Sequence, residues 1–297
     1  KNMKTLLPKI VTKRGISKCA PLIFDPAGYL QPFTVRSKLI LRELWARGCS
    51  WDDVITDDLE KAWLAWVNDL DEIEDFRLRR TYAEKTIVKG ELFGFGDASE
   101  NCYAAVVYLK SYHEDGTTSV NIVASKSRVC PLKQPLTIPR KELLASLITA
   151  RLITHVGKEL SMFSVTIAGC FSDSKIVLCW LSSDEEKLQR FVSNRIKEIR
   201  KLVPTEFWKY VQTDENPADL PSRGISSKEL VKSTLWWNGP EWLIKSSSPP
   251  YDSIPSSSTT PDAAEMEYEP VVYEAQANVA QNDLERCYFP IDVQRFG

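Results

Sequence analysis

The hydrophobic period of this chain changes near residue 91, and that change constrains the fold more than any other feature. Before it, apolar residues recur at helical spacing, first Leu39, Ile40, Leu44 and Trp45, then Leu59, Ala62, Trp63, Trp66, Val67 and Leu70. The aspartate pairs at 52–53 and 57–58 predict caps on the second of these helices. After it, residues 91–98 and 103–112 are rich in strand formers, and Asp115-Gly116 supplies a hairpin turn before a third strand over 119–124. Pro139 then opens a helix expected to bury Leu144, Ile148, Leu152 and Val156. A strand over 165–171, a short helix over 175–181 and a helix burying Leu188, Val192, Ile196, Ile199 and Val203 follow. A fifth strand over 207–212 precedes Asn216, placed to cap a last helix with Pro217 in its first turn. The order βββαβααβα predicts an α/β (α+β) fold, a mixed five-stranded sheet with flanking helices.

Three regions follow: a mainly helical segment over 1–90, a sheet domain over 91–245, and a Ser/Pro-rich acidic tail over 246–297 whose composition predicts disorder. With 43% hydrophobic residues, the first two have material for a sizeable core. The net charge of −2 excludes an overtly basic nucleic-acid binder only as an average. The tail holds nine acidic and two basic residues, so 1–245 carries 36 basic against 31 acidic. Seven cysteines, odd in number and without a C-x-x-C pair, fit neither a disulfide framework nor a zinc ribbon. Two histidines exclude a His-rich metal centre. No apolar run reaches the roughly 18 residues of a membrane span, and no signal-peptide pattern leads the chain, so a reducing, soluble, intracellular setting without a membrane partner is expected.

Four acidic residues occupy ends of elements. Asp97 ends the first strand, Glu142 lies in the first turn after Pro139, Asp173 closes the fourth strand, and Asp219 sits in the opening turn of the final helix. Singly, Asp97 or Asp173 fits a turn, and Asp219 fits a charge satisfying a helix dipole. Jointly, strand ends and the first turns of helices packed on them can converge, and four converging carboxylates repel one another unless divalent cations neutralise them. All-oxygen ligation suits Mg²⁺ or Mn²⁺. Two such ions about 4 Å apart clamp the attacking water and the leaving oxygen of a phosphoryl displacement.

The order Asp–Glu–Asp–Asp on this pattern resembles that of ribonuclease H. The strings resemble the ribonuclease H segment of Pao/BEL-type LTR retrotransposon polyproteins. They are Gly94-Phe95-Gly96-Asp97-Ala98-Ser99, Ala124-Ser125-Lys126-Ser127-Arg128-Val129, Ile138-Pro139-Arg140-Lys141-Glu142-Leu143 and Phe171-Ser172-Asp173-Ser174. Asn216-Pro217-Ala218-Asp219-Leu220-Pro221-Ser222-Arg223-Gly224 and Leu235-Trp236-Trp237-Asn238-Gly239-Pro240-Glu241-Trp242-Leu243 complete the set. Upstream, Phe24-Asp25-Pro26-Ala27-Gly28-Tyr29-Leu30 and Leu41-Arg42-Glu43-Leu44-Trp45 extend the likeness into a reverse-transcriptase thumb/connection-like stretch, so that it covers residues 10–245. The resemblance implies Asp97, Glu142, Asp173 and Asp219 as catalytic ligands of two Mg²⁺ or Mn²⁺ ions. It implies the RNA strand of an RNA–DNA hybrid as substrate and the upstream reverse-transcriptase domain of the same polyprotein as partner. The implied location is cytoplasmic, in a virus-like particle, or nuclear. Two departures stand out: Thr213, Asp214 and Glu215 occupy the place where many retroviral relatives carry a histidine, and Ala27 and Tyr29 vary the upstream motif.

Between residues 126 and 201 there are 14 basic and seven acidic side chains. Lys126 and a stripe of Arg190, Lys197 and Lys201 are candidates to grip phosphates, a role the stripe shares evenly with that of a solvated helix face. Ser99 and Ser125 are candidate donors to the nucleic-acid backbone or its 2′-OH groups, against their commoner use in turns and strand ends. His155 is expected to be structural and His113 exposed, while Trp236, Trp237 and Trp242 are expected to pin the C-terminal segment.

Segments of this kind also go by the name of Pao retrotransposon peptidase. An aspartic peptidase needs two Asp-Ser/Thr-Gly loops, and Asp97-Ala98-Ser99 and Asp173-Ser174-Lys175 lack the glycine. An integrase-like transferase wants its glutamate after the second aspartate, and Glu142 precedes Asp173. A non-catalytic scaffold that positions nucleic acid is the remaining alternative. No Tyr-x-Asp-Asp polymerase motif is present.

Overall fold

The computed structural model of the chain describes residues 10–77, 85–133 and 135–245. The segment 246–297, expected to be disordered, lies outside the described residues. Among the described residues four α-helices precede the sheet: α1 (Lys13–Cys19), α2 (Gln31–Ala46), α3 (Asp58–Asn68) and α4 (Leu70–Asp75). Asp57 caps α3 by accepting from the Leu59 amide at 2.9 Å, as expected of one aspartate pair. The other pair does different work, since Asp52 takes the Arg14 guanidinium and Asp53 accepts from the Ser50 amide. The stripe on α2 is also displaced from the expected one: Phe33, Ser37, Ile40 and Leu44 are buried, and Trp45 is exposed. Its exposed ring meets Trp51 edge-on at 5.4 Å instead.

The sheet has strand order β3-β2-β1-β4-β5. Strands β1 (Ile87–Ala98), β2 (Cys102–His113) and β3 (Thr118–Val129) form an antiparallel meander, with Gly116 at φ 80° in the second turn, as Asp115-Gly116 predicts. Helix α5 (Ile138–Glu159) then crosses over the sheet to β4 (Val165–Ser172), which runs parallel to β1. Helices α6 (Lys175–Ser182) and α7 (Arg190–Leu202) lead to β5 (Trp208–Tyr210), parallel to β4. The expected strand over 207–212 shrinks to three residues because 3₁₀ turns, Thr205–Phe207 and Thr213–Glu215, flank it.

Alternation along β1 divides the interior into two layers. Phe93 and Phe95 point to one face with Val106, Tyr108, Ile122 and Phe171, where they join Phe33, Leu44, Trp63, Trp66, Trp236 and Trp242 in one core. Leu92 points to the other with Val107, Leu109 and Cys170, under Leu147, Ala150 and Ile153 of α5 and Val192, Ile196 and Ile199 of α7. The first core runs unbroken from the helical segment into the sheet. Trp66 stacks on both Phe33 (5.1 Å) and Trp63 (4.9 Å), an arrangement worth about 0.5–1.5 kcal/mol per pair beyond burial. On α5 the buried face is Leu143, Leu147, Ala150 and Ile153, whereas Leu144 and Leu152, expected there, are partly buried against the small cluster of Ala98, Tyr103 and Ala105.

The stretch 24–30 closes the edge of the sheet. Asp25 accepts from the Tyr29 and Leu30 amides, both at 2.8 Å, and shapes a turn that lays Ala27 O on the Ser125 amide of edge strand β3 at 2.8 Å. Gly28 (φ 80°) sits so close that a Cβ would lie 2.1 Å from Ser125 O, so this position admits glycine alone. The departures at Ala27 and Tyr29 thus fall in a packing element.

After β5 come four short helices: α8 (Asp219–Arg223), α9 (Ser227–Lys232), α10 (Thr234–Asn238) and α11 (Glu241–Lys245). The helix expected to be last is therefore the first of four among the described residues. Trp236 is fully buried and donates Nε1–H to Tyr29 O at 2.8 Å, while Tyr108 donates its hydroxyl to Trp236 O at 2.8 Å. Trp242 packs on Phe171 at 5.2 Å. These contacts are the expected pinning of the C-terminal segment. Trp236→Ala is expected to cost about 3–5 kcal/mol by opening a cavity between helices and sheet. Urea denaturation measures it, and a loss below about 1 kcal/mol would remove Trp236 from that role. Among the described residues no helix is long and apolar enough to cross a membrane.

Candidate active site

The ends of β1 and β4 lie side by side because the two strands pair in parallel, Gly96 opposite Ser172. Asp97 and Asp173 follow directly, one on each strand's C-terminal side. Glu142 reaches them because α5 approaches β1 unusually closely. Gly94 and Gly96 turn their missing side chains toward α5: a Cβ on Gly96 would lie 2.6 Å from Thr149 Oγ1 and 3.2 Å from the Ala145 backbone. Thr149 Oγ1 is itself bonded to Ala145 O at 2.9 Å and to Phe95 O at 3.2 Å, so it has nowhere to go. Gly96→Ala is expected to lower stability by about 1–3 kcal/mol through overpacking and to cut any catalytic rate more than tenfold by lifting Glu142 off the strand ends. Paired thermal melts and rate measurements check this, and an unchanged rate would separate the close approach from the chemistry.

Carboxylate oxygens of Asp97, Glu142 and Asp173 lie within 4.8 Å of one another. Asp97 and Glu142 are buried and Asp173 partly so. Burial, then the charge of Asp173, pushes the Asp97 carboxyl up to about 7 against the hydrogen bond from Ser222. Burial, then the charges of Asp97 and Asp173, pushes Glu142 up to about 10. Asp173 is raised by burial, with hydrogen bonds from Thr213 and Asn216 opposing. Glu142 Oε2 and Asp173 Oδ1 are buried without a hydrogen-bond partner among the described residues. Buried, mutually repelling, oxygen-only donors with two lone-pair sites unused fit a hard divalent cation.

Asp219 stands outside this trio. Its Oδ1 accepts from Arg223 Nε, yet its charge is felt at Asp97, Glu142 and Asp173. The segment that carries it is fastened to β1. Asn216 Nδ2 donates to Gly96 O at 3.1 Å, Ser222 Oγ donates to Asp97 Oδ2, and Ser99 Oγ donates to Ser222 O at 2.7 Å. Asn216 serves two purposes: its Nδ2 straps this segment to β1, while its Oδ1 accepts from the Ala218 amide at 3.2 Å. The second is the capping bond expected of it, one turn ahead of α8, which Ala218 directly precedes. Thr213, in the stretch just before the fourth carboxylate, hydrogen-bonds Asp173.

The candidate nucleic-acid contacts separate into two groups. Ser125 is buried with its hydroxyl given to Gly28 O, and Ser99 is spent on Ser222 and Cys102, so both serve the fold and neither offers a free donor. Lys126, Arg190, Lys197 and Lys201 are exposed. The histidines exchange their expected places: His113 is buried with Nε2 2.9 Å from Ser119 Oγ, and His155 is exposed.

A denser basic patch escaped the sequence reading. Lys126 and Arg128 on β3, Arg140 and Arg151 on α5, and Arg195 on α7 are near enough to repel. The Lys126 ammonium is lowered by burial first, then by Arg128 and Arg151, and Arg195 by burial, with Tyr103 and Glu198 opposing and Arg140 and Arg151 adding. The Arg195 and Arg140 guanidiniums lie 3.5 and 4.9 Å from the Phe191 ring centroid, and Arg195 Nε is buried without a hydrogen-bond partner among the described residues. The signal was a charge excess over 126–201, but its focus needs β3, α5 and α7 to be packed together.

Similar solved structures include RNase H1 from Halobacterium salinarum NRC-1, at 18% identity and TM-score 0.26, covering 44% of this chain and 90% of that one. The N-terminal RNase H domain of a Mycobacterium tuberculosis protein, solved as a fusion with maltose-binding protein, aligns at 14% identity and TM-score 0.27, covering 44% and 86%. The foamy viral protease-reverse transcriptase in complex with dsDNA aligns at 15% identity and TM-score 0.25, covering 70% of this chain and 41% of that one. No curated protein is significantly similar to the chain. The family described as the Pao retrotransposon-like RNaseH-like domain matches residues 12–174. That span exceeds half of the 297 residues, runs across the helical segment into the sheet, and takes in Asp97, Glu142 and Asp173. The chain therefore belongs to the Pao retrotransposon-like RNaseH-like domain family.

Proposed function

We propose that this chain is a divalent-cation-dependent endonuclease that hydrolyses the RNA strand of an RNA–DNA hybrid, beside the reverse-transcriptase domain of the same retrotransposon polyprotein. The observation that carries this reading is the convergence of Asp97, Glu142 and Asp173 within 4.8 Å, with Glu142 Oε2 and Asp173 Oδ1 buried and without a hydrogen-bond partner among the described residues. Mg²⁺ or Mn²⁺, as two ions, supplies charge neutralisation for the attacking water and the leaving oxygen of a phosphodiester when bound there. Ser222 fixes the rotamer of Asp97, and Thr213 with Asn216 fixes Asp173, so both carboxylates are oriented before substrate arrives. Asp219 stands ready as a fourth, outer carboxylate. The cleft beside the trio is lined by Ile138, Pro139, Ser174, Lys175 and Ile176, an apolar and basic wall that suits a sugar-phosphate strand. The patch of Lys126, Arg128, Arg140, Arg151 and Arg195 favours a polyanion and gives salt-dependent affinity.

The peptidase alternative lacks its loops at both aspartates, and Glu142 adds a third carboxyl that a proton-sharing dyad does not use. The test incubates the full chain with an RNA–DNA hybrid labelled on either strand, with double-stranded DNA and with a peptide substrate, each with Mg²⁺ and with EDTA. Cleavage of the RNA strand alone, abolished by EDTA, is the expected result. Peptide cleavage, or intact hybrid under Mg²⁺ and Mn²⁺ alike, would overturn the reading.

A further inference from the structure

The fourth carboxylate is occupied by this chain's own cation. Asp219 and Arg223 form an ion pair one turn apart on α8, with the Asp219 side chain 25% exposed and that of Arg223 62% exposed. Other pairs with the same spacing, Arg47–Glu43 and Lys245–Glu241, lie on outer surfaces. The Asp219–Arg223 pair differs because Arg223 interacts with Asp97 and Asp173 as well as with Asp219. The backbone beneath it is fixed. Ser222 is buried and bonded to Asp97, Gly224 (φ 86°) abuts Arg36 and Val35, and the Ile225 amide donates to Pro32 O at 2.9 Å. The long, exposed Arg223 side chain can change partners without moving this backbone.

We propose that Arg223 is a positioning residue that holds Asp219 while nucleic acid is absent and moves to a backbone phosphate when the hybrid arrives, releasing Asp219 to complete the cation site. The proposal rests on the nuclease reading above. A half-exposed ion pair is worth about 0–1 kcal/mol, so it yields readily to a better partner. A phosphodiester is such a partner, since the guanidinium fork matches phosphate oxygens. Loading of the second cation is thereby coupled to substrate: without the hybrid, Arg223 covers Asp219 and withholds it from the ion.

The test titrates the full chain with Mn²⁺ alone, following free Mn²⁺ by electron paramagnetic resonance, and needs no turnover. Arg223→Gln is expected to tighten the weaker Mn²⁺ site by up to about fivefold, the factor that an ion pair of up to about 1 kcal/mol is worth. Arg223→Lys is expected to restore the wild-type value by holding Asp219 again. In an Asp219→Asn background Arg223→Gln is expected to change nothing, because the effect runs through Asp219. Equal affinities for wild type and Arg223→Gln overturn the proposal. So does the same tightening in the Asp219→Asn background, which marks a through-space charge effect. Wild-type protein that binds no Mn²⁺ overturns the nuclease reading and this proposal with it. Hybrid binding in Ca²⁺ reads the other half: Arg223→Gln is expected to reduce the slope of log affinity against log salt by about one, and an unchanged slope excludes the phosphate contact.

Discussion

Asp173→Asn is expected to abolish hybrid cleavage, lowering kcat/KM by a factor on the order of 10³ or more, while the protein stays folded. Asparagine keeps the size and offers one acceptor oxygen, so Thr213 and Asn216 retain a partner. What disappears is a negative charge at the place where cations are to be held. The fold is expected to tolerate the change because the charge is a burden without cations: burial raises the Asp173 carboxyl, and Asp219 adds to that rise. Asp97→Asn is expected to behave alike in catalysis. Circular dichroism and melting curves of both variants confirm folding. Retention of a tenth or more of the wild-type rate in either would remove that carboxylate from the chemistry.

Metal-free protein is expected to lose stability as pH rises from 5 to 8, and Mg²⁺ or Mn²⁺ at pH 8 is expected to restore much of it. Asp97 is pushed up to about 7 and Glu142 up to about 10 in the folded chain, against about 4 for such carboxyls when unfolded. Between those limits the folded state holds more protons than the unfolded one, so the free energy of unfolding falls with rising pH. The contribution is fully present below about pH 4 and is lost progressively through 7 for Asp97 and toward 10 for Glu142. At roughly 1.4 kcal/mol per pH unit per group, less what the cluster recovers by relaxing, the span from pH 5 to 8 costs on the order of 2–4 kcal/mol. A melting temperature lower by about 5–10 °C is the readout for a domain of this size. Cations bind the folded cluster and not the unfolded chain, so they oppose the fall by mass action. Stability that rises with pH over this range, or that ignores divalent cations at pH 8, would contradict the electrostatic description of the trio.

The elements of the sheet and the positions of Asp97, Glu142 and Asp173 at their ends were legible in the sequence because period and end-of-strand placement are local properties. The same holds for the hairpin at Gly116 and the buried face of α7. What stayed hidden depends on packing partners distant in sequence. Leu144 and Leu152 lost the centre of α5 to Leu147 and Ile153 because β1 glycines draw the helix in and set its rotation. Asn216 is a cap by its neighbours, and its Oδ1 does take the Ala218 amide, but the bond from its Nδ2 to Gly96 O, 120 residues away, has no local signature. His113 and His155 were misplaced for a similar reason: a turn-flanking residue is buried by the edge of the sheet, while a mid-helix residue falls on the face that no layer covers. Ser222 and Arg223, which hold Asp97 and Asp219, carried no signal of their own beyond lying in a recognised string. The basic patch around Phe191 is assembled from three elements and is invisible until they are stacked.

The most direct measurement of the central claim is anomalous scattering from crystals of the full chain soaked in Mn²⁺. The expected result is Mn²⁺ density between the carboxylates of Asp97, Glu142 and Asp173, in contact with Glu142 Oε2 and Asp173 Oδ1, and absent from crystals of Asp173→Asn. Crystals that bind Mn²⁺ only elsewhere, or leave those two oxygens without an ion, would contradict it.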